Sequence, residues 1–197
     1  MQILSTCYIN SNLIRLNGNV TKNNISEKEN WLKELYNQLE LSYPKFHKMD
    51  NLAKMAFISS EIMKGTSVFE KYNDDDIALI FANKGASHTT DVKYTKSYKE
   101  NGNPSPSLFV YTLPNILTGE LAIRNKWYGE NIFFIQEKFN AEFYIDQINF
   151  YLRKGSKACL CGWVESFEES EECFLFLIEK SDEDITAEQL TNLYTGK

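Results

Sequence analysis

The sequence predicts an α/β fold: a mixed sheet of about five strands flanked by helices, with one helix buried. Short apolar runs, too brief for helices, recur along the chain as IALIFAN (77–83), NIFFIQ (131–136), KACLCGWV (157–164) and CFLFLIE (173–179). Between them lie longer segments whose apolar residues repeat at helical spacing. The 197 residues, 43% hydrophobic and 14% aromatic, are enough for one substantial core, and no Pro-, Gly- or Ser-rich linker divides them. A single domain spanning 1–197 is expected.

The elements follow in order. Residues 7–20 mix β-branched and aromatic side chains with Asn and Gly, which suggests a strand, a turn and a second strand. Ser26 and Glu29 form a candidate capping box ahead of Trp31, Leu32, Leu35, Tyr36 and Leu39, predicting a helix over about 27–40. Asp50 is placed to cap a second helix, whose stripe is Leu52, Met55, Ala56, Ser59, Ile62 and Met63. IALIFAN is apolar almost throughout, as a strand covered on both faces should be. The polar stretch 84–107, closing on Gly102, Pro104 and Pro106, reads as a long loop or partly helical excursion. ILTGELAIRN (116–125) reads as a helix in which Gly119 lets another element approach. The segment Phe139–Leu152 is apolar nearly all the way round and is the helix expected to be buried, with Gly155 ending it. A final helix is expected over Thr186–Tyr194.

A formal net charge of −6 argues against nucleic-acid or anionic-membrane binding, since both need a basic field. Met1–Leu16 carries neither a basic head nor a long apolar block, and no later run reaches the roughly 18 apolar residues of a membrane span. A cytoplasmic protein is expected. Cys7, Cys159, Cys161 and Cys173 stand at no metal-finger spacing from one another or from His47 and His88. Cys159 and Cys161 alternate along a strand-like run and so share one face, as packing residues; a metal or redox role is the alternative. No cofactor is implied.

The local wording resembles the amino-terminal half of the β-ketoacyl synthases, thiolase-fold condensing enzymes. YPKFHKMDNLAKMAFISSEIM (43–63) is similar to the family stretch in which an Arg/Lys-Met-Asp/Ser group opens a helix, and Pro106, Phe109, Asn115, Gly119 and Ile123 match another family pattern. In the family, a glycine lies nine residues before the nucleophilic cysteine and a second closes the following helix seventeen residues after it. Gly129 and Gly155 stand at those distances from one residue, Lys138. The resemblance covers nearly all of the chain and implies that the carboxyl-terminal half of the family fold is absent.

The chemistry that the resemblance implies needs a thiolate at a helix N-terminus, where the dipole lowers its pKa, and two histidines that stabilise the enolate formed by decarboxylation. The nucleophile position reads Gln136, Glu137, Lys138, Phe139, none of which forms a thioester. The histidine pair belongs to the missing half, and His47 and His88 read as surface residues. Condensing activity is therefore not expected. A lysine in a first helical turn is unfavourable, so Lys138 should be solvated, paired with an acid such as Glu137 or Glu142, or placed outside that turn; a Schiff-base role requires desolvation, and nothing nearby suggests a carbonyl site.

The resemblance further implies that Asn131, Ile132, Phe133, Phe134, Ile135 and Gln136 border a partner, because in ketosynthases this strand pairs across a two-fold axis. The alternative reading puts the strand inside the sheet, with Phe133 and Phe134 as plain core. The first functional expectation is an accessory, chain-length-factor-like pseudoenzyme that supports a full-length ketosynthase in fatty acid, polyketide or polyene pigment biosynthesis, approached by acyl carrier protein. Two others stand beside it: a homodimer that binds an acyl chain or carrier protein, and a residual acyl-transfer enzyme.

Overall fold

The computed structural model describes residues 1–22, 25, 30–167 and 170–197. Its elements are β1 (Gln2–Asn10), β2 (Leu13–Leu16), β3 (Asn19–Lys22), α1 (Trp31–Gln38), α2 (Asn51–Lys64), β4 (Ile77–Asn83), α3 (His88–Asn101), α4 (Pro106–Val110), α5 (Ile116–Asn125), β5 (Asn131–Ile135), α6 (Ala141–Lys154), β6 (Ala158–Phe167), β7 (Ser170–Glu179) and α7 (Ala187–Thr195). The candidate capping box at Ser26 and Glu29 lies outside the described residues.

The strands form one mixed sheet in the order β3-β2-β1-β7-β6-β4-β5. It has seven strands where about five were expected, because the amino-terminal segment doubles back twice. Asn17 and Gly18 both take left-handed backbone (φ 49° and 83°), and this pair turns β2 into β3. β6 and β5 flank β4 in parallel, whereas β7 runs antiparallel to both of its neighbours, β6 and β1.

Alternation along the strands sorts side chains into two cores. Ile77, Leu79, Phe81, Leu160 and Leu175 face α1, α2 and α5; Ala78, Ile80, Cys159, Cys161 and Phe176 face α6 and α7. β4 is buried at every position, as its unbroken apolar run predicts. Cys159 and Cys161 share a face, as expected.

Asp50 caps α2 by accepting the Ala53 N–H at 2.9 Å. α2, rather than α6, is the enclosed helix, buried at Leu52, Ala53, Met55, Ala56, Phe57, Ile58, Ser59, Ser60 and Met63. α6 buries one side only, through Ala141, Tyr144, Ile148 and Tyr151, while Phe150 stays 44% exposed. Its cyclic apolar pattern overstates burial because Phe143, Ile145 and Leu152 are only partly covered at its flanks. The polar stretch after β4 is largely helical (α3), and Gly102 closes it in left-handed backbone. Gly119 is approached by nothing: a Cβ there would meet open space. Among the described residues, no helix is long and apolar enough to cross a membrane.

The two glycines that set the spacing have structural reasons of their own. Gly155 ends α6 with φ 116°. At Gly129 a Cβ would lie 2.4 Å from the Ile77 carbonyl oxygen and 3.0 Å from that of Asp75, both backbone atoms at the entry to β4. Gly129→Ala is therefore expected to cost about 1–3 kcal/mol, seen as a lower urea midpoint with unchanged slope. An unchanged midpoint would show that this entry yields without strain.

Candidate functional site

The chain passes from β4 to β5 over one face of the sheet and from β5 to β6 over the other, so strand order reverses beside β4. In open α/β sheets such a reversal leaves a crevice at the carboxyl ends of the strands. Here the crevice is a pocket of about 350 Å³ whose wall includes Lys84, Lys138, Phe139, Trp163, Glu165 and Phe167.

The first wall is the loop after β4. Asn83 closes it locally, its Oδ1 accepting the Ala86 N–H at 2.9 Å and its Nδ2 donating to the Ala86 carbonyl at 3.0 Å. Glu165 of β6 holds the same loop from outside. Its Oε2 accepts the N–H groups of Lys84 (2.8 Å) and Gly85 (3.3 Å), and its Oε1 accepts that of Ser166 (3.1 Å). Burial raises the Glu165 pKa, and those three backbone donors only partly offset it. A side chain at 85 would collide with Phe167 and Glu165, since a Cβ would stand 2.5 Å from Phe167 Cβ.

The second wall is the turn from β5 to α6. The helix is capped not by Lys138 but by Asn140, whose side-chain oxygen accepts the Phe143 N–H at 3.1 Å. The physical reason is plain: an ammonium only donates, so it cannot satisfy the free N–H groups of a first turn, whereas an amide oxygen can. Lys138 stands two residues earlier, exposed, and among the described residues it forms no ion pair with Glu137 or Glu142. Of the expected outcomes for this lysine, the structure shows solvation together with a place outside the first turn.

Phe139 points the other way, into an aromatic box. Its ring stacks on Tyr194 (4.4 Å between centroids) and on Tyr144 (5.5 Å), and meets Phe174 and Trp163 edge-on at 5.8 and 6.4 Å. Tyr194 comes from α7 and is fixed by Glu172, which accepts its hydroxyl at 2.5 Å, that of Tyr8 at 2.7 Å and the Trp163 indole N–H at 3.3 Å. Burial first, and then the Glu172 carboxylate, push both tyrosine pKa values upward, so both remain protonated donors.

No thiol lines this pocket. The four cysteines are buried and unbridged. Desolvation pushes the Cys7 and Cys159 thiols up to about 12 and those of Cys161 and Cys173 well above their usual value, the reverse of what a nucleophile needs. His47 is exposed against Tyr36 and Phe46, and His88 lies edge-on to Phe167 at 5.2 Å, outside the pocket lining. Glu165 and Glu172 each accept three hydrogen bonds from the protein, which fixes them as supports of the walls. The arrangement can accommodate an apolar group against aromatic rings, with polar groups at its mouth.

Among the described residues β5 is the terminal strand of the sheet, bonded to β4 alone, so within this chain it does not lie inside. Glu130 accepts the Leu79 N–H, and Gln136 donates to the Asn83 carbonyl. Because backbone groups alternate along a strand, those of 130, 132, 134 and 136 face β4, while those of Asn131, Phe133 and Ile135 point off the free edge. Phe133 and Phe134 pack partly against the two opposite cores, and Ile135 is 54% exposed.

Sequence reasoning named Lys138 and the β5 residues but missed Lys84, Glu165, Phe167, Glu172 and Tyr194. No local pattern in the sequence shows that Glu165 reaches the loop after β4 or that Glu172 reaches the carboxyl-terminal helix.

No protein-family model matches the sequence, and no curated protein matches it. Solved structures do. One chain of the ketosynthase ApeO in complex with its chain length factor ApeC, from Xenorhabdus doucetiae, matches with a TM-score of 0.61 at 12% identity, over 91% of this chain and 79% of that one. The ishigamide ketosynthase/chain length factor matches with a TM-score of 0.61 at 17% identity, over 74% of this chain and 48% of that one. A type II polyketide synthase complex of acyl-carrier protein and ketosynthase bound to the hexaketide, AntDE:AntF, matches at 0.55 and 13%, over 80% and 52%. The chain thus spans about half the length of the latter two. It has the thiolase-like fold of ketosynthase and chain-length-factor assemblies, as the motif resemblance implies.

Proposed function

We propose that this chain is a non-catalytic, chain-length-factor-like subunit that pairs with a complete ketosynthase in the synthesis of a polyketide or related acyl chain. The observation that carries the reading is the turn before α6. Where the resemblance implies the nucleophile, a solvated lysine faces outward and Phe139 fills the inner space with an aromatic plug. All four thiols lie elsewhere, buried and protonated. The free edge of β5 supplies the surface for the ketosynthase, and an edge of this composition invites a partner strand. In this reading residues 1–197 act as one domain equivalent to the amino-terminal half of the ketosynthase fold, and acyl carrier protein serves the pair.

The test is co-expression with a complete ketosynthase from the same organism. The expected result is a stable one-to-one complex whose condensing activity vanishes when the ketosynthase cysteine is replaced and survives Lys138→Ala. A chain that stays apart from the synthase as a homodimer and binds acyl chains or carrier protein alone would replace this reading with the alternative.

A further inference from the structure

The aromatic box is closed on one side by a helix that holds on at few points. α7 buries one of its residues completely, Leu190, while Ala187, Leu193 and Tyr194 pack only partly against the core. Along one flank lies the pocket whose wall includes Tyr194; along the other lies a second cavity of about 490 Å³, walled by Ile3, Ile185, Gln189, Asn192 and Leu193 among others. With space on both flanks the helix has few atoms to rest on, so little packing is lost when it moves.

Polar groups hold its carboxyl-terminal end. Arg15 of β2 donates through Nη2 to the carbonyls of Leu193 at 2.9 Å and Tyr194 at 2.6 Å, which satisfies the last turn and suits the helix dipole. The guanidinium lies 4.7 Å from the centre of the Tyr8 ring, whose hydroxyl shares the Glu172 carboxylate with that of Tyr194. One cation and one carboxylate on the sheet thus grip the turn that carries Tyr194. The amino-terminal end is anchored separately. Its capping box pairs Thr186 with Gln189 in both directions, and just before it the Met1 ammonium donates to the Ser181 carbonyl at 2.9 Å. Opening therefore starts at the other end, and because nine residues are marginal as a free helix, release of the last turn propagates inward.

We infer that α7 is a strap across the aromatic box: Arg15 and Glu172 latch its last turn, and when the latch lets go, Tyr194 leaves the Phe139 ring and opens that face to a flat apolar ligand, which takes the stacking place of Tyr194. The strap is a property of this chain alone and stands whether or not a ketosynthase binds β5.

The experiment follows the full chain by native-state hydrogen exchange read by mass spectrometry, with 1-anilinonaphthalene-8-sulfonate as the flat apolar probe in a parallel fluorescence titration. Amides of 190–195 should exchange about a hundredfold or more faster than those of β6 and β7, through an opening that leaves the sheet closed. Arg15→Met should speed α7 exchange about tenfold, as the loss of two hydrogen bonds warrants, with β6 and β7 unchanged. Only the open form takes the probe, so apparent affinity scales with its population, and the same variant should bind the dye tighter by the same factor. Gly196→Ala gives a second route to the same result without touching the core, since a Cβ there would lie 2.4 Å from Arg15 Nη1 and dislodge it. Arg153→Met, at an exposed position on α6, removes the same charge and should leave both readings at wild type. Exchange of α7 only together with β6 and β7, or at a rate indifferent to both Arg15→Met and Gly196→Ala, would overturn the strap. Faster exchange with unchanged dye affinity would mean that a helix end frays without opening the box, and an equal response in Arg153→Met would trace the effect to net charge; either would overturn it too.

Discussion

Ile135→Pro is expected to leave this chain folded while weakening its association with the ketosynthase about a hundredfold or more. Proline removes an N–H, and at 135 that N–H points away from β4, so no bond of the β4–β5 ladder is lost. The side chain is mostly in solvent, so little packing is sacrificed. What the substitution removes is one of the few free donors available to a partner strand, and its ring obstructs close approach on that side. A truncated hydrogen bond between strands, together with the acceptor left unpaired in the partner, accounts for about 2–4 kcal/mol, which is a hundredfold change or thereabouts. Analytical ultracentrifugation of the co-expressed pair measures it, with thermal melting of the isolated chain as the folding control. An unaltered complex would mean that the synthase docks elsewhere. The neighbouring Phe134→Pro is the useful contrast, because its N–H serves β4 and its loss should unfold the sheet edge itself.

Phe139→Ala is expected to lower the unfolding free energy by about 3 kcal/mol, near the lower end for emptying an aromatic site in a core, since Phe139 is partly exposed. The ring joins α6 to α7 through Tyr144 and Tyr194, so its removal should also loosen the carboxyl-terminal helix. Faster proteolysis within 181–197 would register that loosening. Phe139→Leu, which restores much of the volume without the stacking, should recover most of the stability. A loss under about 1 kcal/mol would show that the box collapses around the gap.

The parts of this fold legible in the sequence are those in which a single element states its own environment. β4 is apolar up to its last residue, Asn83, and is covered on both faces; Asp50 precedes a stripe and caps it. α3 was less legible because it lies on the surface with a sparse apolar face, so its polar composition suggested loop. The β2–β3 hairpin carried a readable signal in Asn17-Gly18, but its four-residue strands are too short to display a period. α6 misled in the opposite sense: its apolar residues are many, yet packing against the sheet takes only one side. At the site, two glycine spacings singled out Lys138, and the structure places it at the pocket wall. They left the identity of the cap open, because Lys138 and Asn140 are separated only by which of them can accept a hydrogen bond. Glu165, Glu172 and Tyr194 were beyond reach, since long-range pairing of β6 with β7 and the docking of α7 bring them together.

The most direct measurement takes the assembled pair, loads it from an acyl carrier thioester, and records the intact mass of each polypeptide separately. The acyl increment should fall wholly on the ketosynthase, with this chain unchanged in mass both as isolated wild type and in the pair. A stoichiometric adduct on this chain, mapped to Lys138 or to any of its four cysteines, would contradict the assignment of a non-catalytic subunit.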